Sequence, residues 1–186
     1  MTNEDAPGAA ATGSRRGPDA TRPQGNESAE QIAADCLRVL QQREQTVATA
    51  ESLTAGLISA TFAGVPGASA ALRGGVTAYA TEAKADVLGV TRRVLDEHGA
   101  VSAQCAEAMA RAVSDLFGST WGVSATGVAG PDRQEGKPVG TIFVGVAGPA
   151  GSGTAGHHLF GGRQQIRAGA VESALRLLRA ALTAPG

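Results

Sequence analysis

Segments with helical periodicity alternate with short β-prone runs between residues 28 and 182. The helices are expected at 28–43, 53–63, 82–88, 102–117 and 163–182, and the strands at 46–50, 74–79, 120–125, 140–147 and about 154–160. Glycine-rich residues 148–153 indicate a hairpin between the last two strands. The pattern predicts an α/β fold, a three-layer α/β/α sandwich around a mixed, mostly parallel sheet of about five strands.

Residues 1–27 have the composition of a disordered N-terminal tail. They contain no Val, Ile, Leu, Phe, Trp or Tyr, so they cannot bury enough apolar surface to offset the entropy lost on ordering. Ser28-Ala-Glu-Gln31 then has the form of a capping box. We therefore expect a tail over 1–27 and a single domain over 28–186.

Charge and composition argue against several classes of protein. The chain has 16 Lys plus Arg against 17 Asp plus Glu, and 13 of each sign remain after the first 27 residues, which leaves no basic footprint for nucleic acid. Six aromatic residues are too few for a base-stacking platform. The sequence has no apolar run of about 18 residues, so a membrane span is not predicted. Polar residues follow Met1, so a secretory signal is not predicted either. We expect a cytoplasmic protein.

The two cysteines and three histidines do not suggest a metal site. Cys36 and Cys105 fall in predicted helices, where they are expected to be small buried thiols, and the histidines have no zinc-ligand spacing to them. His157 and His158 are expected to be an exposed polar pair, with a catalytic base as the alternative. No metal and no cofactor are predicted.

The loop after the first strand, Ala50-Glu-Ser-Leu-Thr-Ala-Gly56, is the first segment that could carry chemistry. A serine at a strand-to-helix turn lies near free backbone N–H groups, which favour a phosphate or an oxyanion. Ser52 resembles the serine of a nucleophile elbow in placement, but the Gly-x-Ser-x-Gly pattern is absent. The alternative is that Ser52 or Thr54 only caps the following helix.

The second segment follows the second predicted strand and contains Tyr79 and Lys84. The chain has 14 Arg but only two Lys, and one of these lies five residues from the only Tyr. Lysine can lose its proton when it is desolvated, whereas arginine cannot, so a lysine kept in an arginine-rich chain suggests a neutral amine. Chance, with Lys84 simply extending from a helix surface, is the alternative.

The third segment runs from Ser124 to Thr141 and contains Gly127 and Gly130, which allow close backbone approach to a ligand. Five residues rather than four separate Gly130 from Gly136, and proline replaces the expected Ser or Thr, so the segment is not a P-loop. No Gly-x-Gly-x-x-Gly sequence opens a helix, so a dinucleotide fingerprint is not supported. An ordinary long surface loop is the alternative.

The segments AESLTAG, GGVTAYATEAK, HGAVS, SATGVAGP, GKPVGT and FGGRQQIR occur in this order. Together they resemble the C-terminal domain of the competence- and damage-inducible protein CinA, a domain also found alone as nicotinamide-nucleotide amidohydrolase. The resemblance covers about residues 30–182. It implies hydrolysis of the carboxamide of nicotinamide mononucleotide to nicotinic acid mononucleotide and ammonia, a reaction of pyridine nucleotide salvage.

The resemblance also implies roles for individual residues. The catalytic set falls on Ser52, Tyr79 and Lys84, with serine as nucleophile and lysine or tyrosine in acid–base roles. Substrate-binding positions are expected at Thr54, Gly56, Thr126, Gly127, Gly130, Lys137, Arg163 and Arg167. The expected partner is a small pyridine nucleotide, without nucleic acid or membrane, and we expect a homodimer or larger homo-oligomer.

Two departures from the family pattern bear on substrate preference. The loop from Pro131 to Lys137 is one residue shorter than usual, and Gly162 replaces an aspartate before the last helix. A catalytically silent nucleotide-binding module and a competence-related interaction domain remain as alternative functions.

Overall fold

The structure, a computed structural model, describes residues 27–184. Within this range the helices are α1 Ala29–Gln42, α2 Leu57–Ala63, α3 Thr81–Asp86, α4 Arg92–His98, α5 Ala103–Phe117 and α6 Arg163–Thr183. The strands are β1 Val47–Glu51, β2 Leu72–Thr77, β3 Trp121–Gly127, β4 Thr141–Gly148 and β5 Gly151–His158, and Ala68–Ala70 forms a 3₁₀ turn.

The expected tail over 1–27 lies outside the described residues except for Glu27. The carboxylate of Glu27 accepts a hydrogen bond of 2.6 Å from Arg179 of α6. Ser28 caps α1 as predicted, because its hydroxyl accepts from Gln31 N–H and the Gln31 side chain accepts from Ser28 N–H.

One mixed sheet of five strands, ordered β2-β1-β3-β4-β5, forms the centre of the fold. The pairs β1–β2 and β1–β3 are parallel, whereas β3–β4 and β4–β5 are antiparallel. Four strands therefore point in one direction and β4 in the other. The predicted α/β fold with a mixed five-stranded sheet is confirmed.

Helices cover both faces of this sheet and complete the three layers. One core joins α1, α2 and α6 to side chains such as Val47 and Val123. The other joins α5 and the segment around Leu88 to Ala48 and Ala50, so alternate residues of β1 face opposite layers. All five residues of β1 are buried, as a central strand between two helical layers requires.

Helix α5 lies unusually close to the sheet. A Cβ built on Gly122 would overlap the backbone of Ala110, and one built on Gly145 would overlap the backbone of Ala106. The hydroxyl of Ser124 donates a hydrogen bond of 2.5 Å to Ala106 O from the same face. Two glycines on neighbouring strands and alanines four residues apart on α5 thus permit direct contact between helix backbone and sheet.

Several predicted boundaries are wrong in instructive ways. Helix α2 begins at Leu57 rather than at residue 53, because residues 52–56 form the turn that carries the candidate nucleophile. Helix α3 begins at Thr81 rather than at residue 82, and it ends at Asp86 rather than at residue 88. Strand β5 begins at Gly151, since the hairpin loop has only two residues.

The structure also contains a helix that periodicity did not predict. α4 has no fully buried residue, so its sequence lacks the apolar repeat from which helices are predicted. Both cysteines are buried, as expected. None of the helices within residues 27–184 is long and apolar enough to cross a membrane.

Candidate active site

Three loops leave the same edge of the sheet and enclose a cleft. The parallel strands β1, β2 and β3 end there at Glu51, Thr77 and Gly127. Ser52 directly follows β1, Tyr79 follows β2, and the β3–β4 loop forms the third wall. Loops at the carboxyl ends of strands are the usual place for a site in such sheets. The lining residues are Ser52, Leu53, Tyr79, Gly127, Val128, Ala129, Gly130, Asp132, Gln134 and Arg163.

Lys84 and Ser52 meet at the wall of this cleft. The Lys84 Nζ donates hydrogen bonds to Ser52 Oγ at 3.0 Å and to Ala78 O at 3.2 Å. Lys84 is 1 % exposed and Ser52 is 7 % exposed. The lysine thus reaches the serine from inside the protein, while the serine also borders the cleft.

Burial lowers the pKa of Lys84 below its ordinary value, because the ammonium group loses its hydration. Negative charge on Cys105, Glu135 and Glu82 opposes this effect. Burial raises the pKa of the Cys105 thiol to about 11, so the thiol is neutral near pH 7 and the two carboxylates are the opposing charges there. The local environment therefore favours the neutral amine that a general base requires.

The carboxylate of Glu51 organises the turn after Ser52, and the sequence analysis assigned it no role. It accepts hydrogen bonds from the backbone N–H groups of Gly56 at 2.9 Å, Ile58 at 3.0 Å and Ser59 at 2.8 Å. The Ser59 hydroxyl donates to it at 2.9 Å. Glu51 therefore caps α2, and neither Ser52 nor Thr54 does so. An acidic residue five positions before the N-cap glycine of a helix, here Gly56, was the available signal.

Because Glu51 occupies the N-terminus of α2, the free backbone donors near Ser52 are elsewhere. Among residues 27–184, the N–H groups of Leu53 and Thr54 have no hydrogen-bond acceptor, whereas Ser52 N–H donates to Ala125 O at 2.9 Å. These two N–H groups directly follow the serine. Leu53 lines the cleft and Thr54 does not, so the Leu53 N–H group is the donor available to an oxyanion formed at Ser52.

Tyr79 is directed toward Arg163 rather than toward the lysine. The Arg163 guanidinium donates a hydrogen bond of 2.5 Å to the Tyr79 hydroxyl and a second one to Gly130 O. Both side chains are exposed, and Tyr79 is 55 % exposed. Arg163 therefore joins the loop after β2 to the β3–β4 loop across the mouth of the cleft.

Two further predicted residues support the cleft from behind. The Arg167 guanidinium donates to Leu53 O at 2.9 Å and to Thr54 O at 2.8 Å, so it fixes the loop after Ser52. The Thr126 hydroxyl donates to Ala100 O at 2.6 Å. Their contacts are with backbone carbonyls, not with the interior of the cleft.

The remaining predicted substrate-binding residues divide into two groups. Gly127 and Gly130 line the cleft, whereas Thr54, Gly56 and Lys137 do not. Thr54 is fully buried, and its hydroxyl is without a hydrogen-bond partner among the described residues. Within residues 27–184, no group of three or more His, Cys, Asp or Glu side chains is placed to hold a metal ion.

Comparison with known proteins identifies the family. The model of the CinA C-terminal domain family matches residues 29–182. A CinA-like protein from Frankia casuarinae is 52 % identical over 143 residues, which cover 77 % of this chain and 33 % of that protein. A CinA-like protein from Fervidobacterium nodosum is 42 % identical over 142 residues, which cover 76 % of this chain and 35 % of that protein. The chain thus spans about a third of the length of these relatives.

Solved structures agree with this result. The competence damage-inducible protein A (ComA) from Klebsiella pneumoniae is 30 % identical, with a TM-score of 0.79 over 82 % of this chain and 96 % of that chain. The competence/damage inducible protein CihA from Agrobacterium tumefaciens is 32 % identical, with a TM-score of 0.78 over 86 % and 98 % of the two chains. The chain belongs to the CinA C-terminal domain family.

Proposed function

We propose that the protein is an amidase that hydrolyses the carboxamide of nicotinamide mononucleotide to nicotinic acid mononucleotide and ammonia. The observation that carries the proposal is the 3.0 Å hydrogen bond between the buried Lys84 Nζ and Ser52 Oγ at the wall of an open cleft. A serine beside a desolvated lysine is a known nucleophile–base pair for acyl transfer. The family resemblance supplies the substrate.

In the first step Ser52 Oγ attacks the carboxamide carbon, and its proton moves to the neutral Lys84 Nζ. The backbone N–H group of Leu53 stabilises the oxyanion of the tetrahedral intermediate. Lys84 then returns the proton to the amide nitrogen, the C–N bond breaks, and ammonia leaves an ester on Ser52. Water hydrolyses that ester, with Lys84 acting as base and then as acid.

Direct proton transfer between Ser52 and Lys84 is favoured over a route through Tyr79. The Tyr79 hydroxyl already accepts a hydrogen bond from Arg163 at the mouth of the cleft. We therefore assign Tyr79 and Arg163 to the nucleotide, with the guanidinium placed for the phosphate and the phenol ring for the sugar or the pyridine.

The size of the cleft is consistent with the assignment of Tyr79 and Arg163 to the nucleotide outside it. Its volume of about 130 Å³ is smaller than the usual range for a whole drug-sized ligand. It suits a pyridine ring with its carboxamide, while the ribose phosphate extends outward to the exposed side chains of Tyr79 and Arg163.

The test is release of ammonia from nicotinamide mononucleotide by the purified protein, with the Ser52→Ala variant as the matched control. We expect stoichiometric nicotinic acid mononucleotide and ammonia from the wild type and neither from the variant. Binding of the nucleotide without turnover in the wild type would contradict the amidase and favour a nucleotide-binding module.

A further inference from the structure

The tip of the β3–β4 loop is a tight turn with a strained glutamate. Gln134 and Lys137 pair across it, through N–H···O hydrogen bonds of 2.9 and 3.3 Å. The two central residues, Glu135 and Gly136, have φ angles of 50° and 72°. Such a turn normally takes Asn, Asp or Gly at its first central position, since a longer side chain crowds the backbone there. A glutamate kept in this conformation suggests a role beyond the turn.

The carboxylate of Glu135 binds to backbone N–H groups just before α5. Its two oxygens accept hydrogen bonds from Ala100 N–H at 2.9 Å and Val101 N–H at 3.0 Å. A Cβ built on Gly99 would overlap the same carboxylate, and Gly99 has a φ of 78°. Residues 99–101, just before α5, therefore form a backbone receptor for one carboxylate from the loop.

The same backbone segment is attached to the cleft from its other side. Thr126 donates its hydroxyl proton to Ala100 O at 2.6 Å, and Thr126 directly precedes Gly127 of the cleft. On the loop itself, Asp132 and Gln134 line the cleft, and Gln134 is adjacent to Glu135. Glu135 thus connects the loop wall of the cleft to the end of β3 through a single backbone segment.

We propose that Glu135 is a positioning residue that latches the β3–β4 loop onto residues 99–101 and thereby holds the nucleotide-binding wall in place. The identity of the nucleotide rests on the proposed function, whereas the latch itself does not. No group of this latch takes part in the bond changes assigned to Ser52 and Lys84.

The charge of Glu135 also bears on the lysine. The titratable groups around Lys84 are Glu82 on its own helix, Cys105 on α5 and Glu135 on the loop. The Glu135 carboxylate favours the protonated amine and opposes the effect of burial. Removal of this carboxylate is therefore expected to lower the pKa of Lys84 further.

Two substitutions separate the roles of the latch and the turn. Glu135→Gly keeps the turn, because glycine adopts a positive φ freely, but removes both acceptors. Glu135→Gln keeps one acceptor oxygen and removes the charge. Glu97→Gln, on the exposed surface of α4, is the control because it removes a surface carboxylate that, among the described residues, accepts a hydrogen bond from the Arg93 side chain and none from a backbone N–H.

Three measurements apply to each variant. Amide hydrogen exchange reports the hydrogen bonds of Ala100 and Val101. Calorimetry gives the Kd for nicotinic acid mononucleotide. NMR titration of ¹³C-labelled lysine gives the pKa of Lys84 directly, since the full sequence has only two lysines.

For Glu135→Gly we expect loss of protection at Ala100 and Val101, a rise of roughly tenfold or more in Kd, and a lower pKa of Lys84. Glu135→Gln should also lose protection and lower the pKa of Lys84, but its rise in Kd should be smaller. Glu97→Gln should resemble the wild type in all three measurements. If Glu135→Gly binds the nucleotide like the wild type with an unchanged pKa of Lys84, the latch has no positioning role, even if exchange at Ala100 becomes faster.

Failure of the proposed function gives a different result. A wild type that neither binds nor hydrolyses these mononucleotides contradicts the amidase, but hydrogen exchange still decides whether the latch exists. Loss of protection at Ala100 and Val101 in Glu135→Gly, but not in Glu97→Gln, would then support the latch, and unchanged protection would overturn it.

Discussion

The side-chain nitrogen of Lys84 donates a hydrogen bond of 3.0 Å to the hydroxyl oxygen of Ser52, although 32 residues separate the two along the chain. The sheet brings them together, because Ser52 directly follows β1 and Lys84 lies on the short helix after the neighbouring parallel strand β2. This contact is the basis of the predictions that concern catalysis.

Lys84→Arg should lower kcat at least about 10²-fold, which is the scale of general-base catalysis. Arginine keeps the positive charge but cannot give up its proton, so it removes the base. Steady-state kinetics with nicotinamide mononucleotide, together with a thermal melt to verify folding, measures this. A variant with a higher KM and a nearly unchanged kcat would show that Lys84 only attracts the phosphate.

Ser52→Ala should lose at least as much in kcat while it still binds nicotinic acid mononucleotide, because the phosphate contacts are assigned to Arg163 and not to the serine. Calorimetry on the variant gives the Kd, and ammonia release gives the rate. Ser114→Ala, which removes a hydroxyl that donates to Arg111 O on α5, is the control and should be fully active. Equal activity of the two variants would exclude Ser52 as nucleophile.

Glu51→Ala should destabilise the protein by about 3 kcal/mol or more, because it leaves one buried and two part-buried backbone donors at the start of α2 without their charged acceptor. Urea unfolding followed by circular dichroism measures the change. Glu97→Ala on exposed α4 is the matched control, with an expected change within about 0.5 kcal/mol. Similar midpoints for the two variants would show that the Glu51 carboxylate does not support the turn.

The lowered pKa of Lys84 predicts how stability depends on pH. Between that lowered value and the ordinary lysine pKa of about 10.4, the unfolded chain binds a proton that the folded chain does not. The contribution of Lys84 to stability is therefore fully present above the ordinary lysine pKa. It is lost as the pH falls toward the lowered pKa of the folded state. The unfolding free energy of the wild type minus that of Lys84→Met should rise with pH from 7 to about 10. A flat or falling difference would show that the folded pKa is not lowered.

Much of this fold was predictable because periodicity reports burial. Helices α1, α5 and α6 bury one face each, and their predicted and observed boundaries differ by no more than one residue. α4 was missed for the same physical reason, since it buries no residue completely. The strand boundaries shifted where glycine and serine, which carry little apolar signal, continue a ladder, as at Gly151 in β5.

The site was predictable in its location but not in its internal contacts. The rarity of lysine in this chain pointed to Lys84, and the sheet places it against Ser52. The partners of Glu51 and Glu135 are backbone N–H groups, which look alike in every sequence, so only the path of the chain reveals them. Tyr79 was expected to act with the lysine, and its hydrogen bond to Arg163 depends on how the β5–α6 loop turns.

The direct contact between α5 and the sheet has a consequence for the chemistry of a residue that touches neither glycine. α5 carries Cys105, and its packed position keeps water away from Lys84. A single methyl group at Gly145 would push the helix outward and hydrate the amine, which would raise the pKa of Lys84 back toward its ordinary value. The missing side chain at Gly145 of β4 therefore lets α5 approach closely enough to set the basicity of Lys84, so the proposed activity depends on a position outside the cleft.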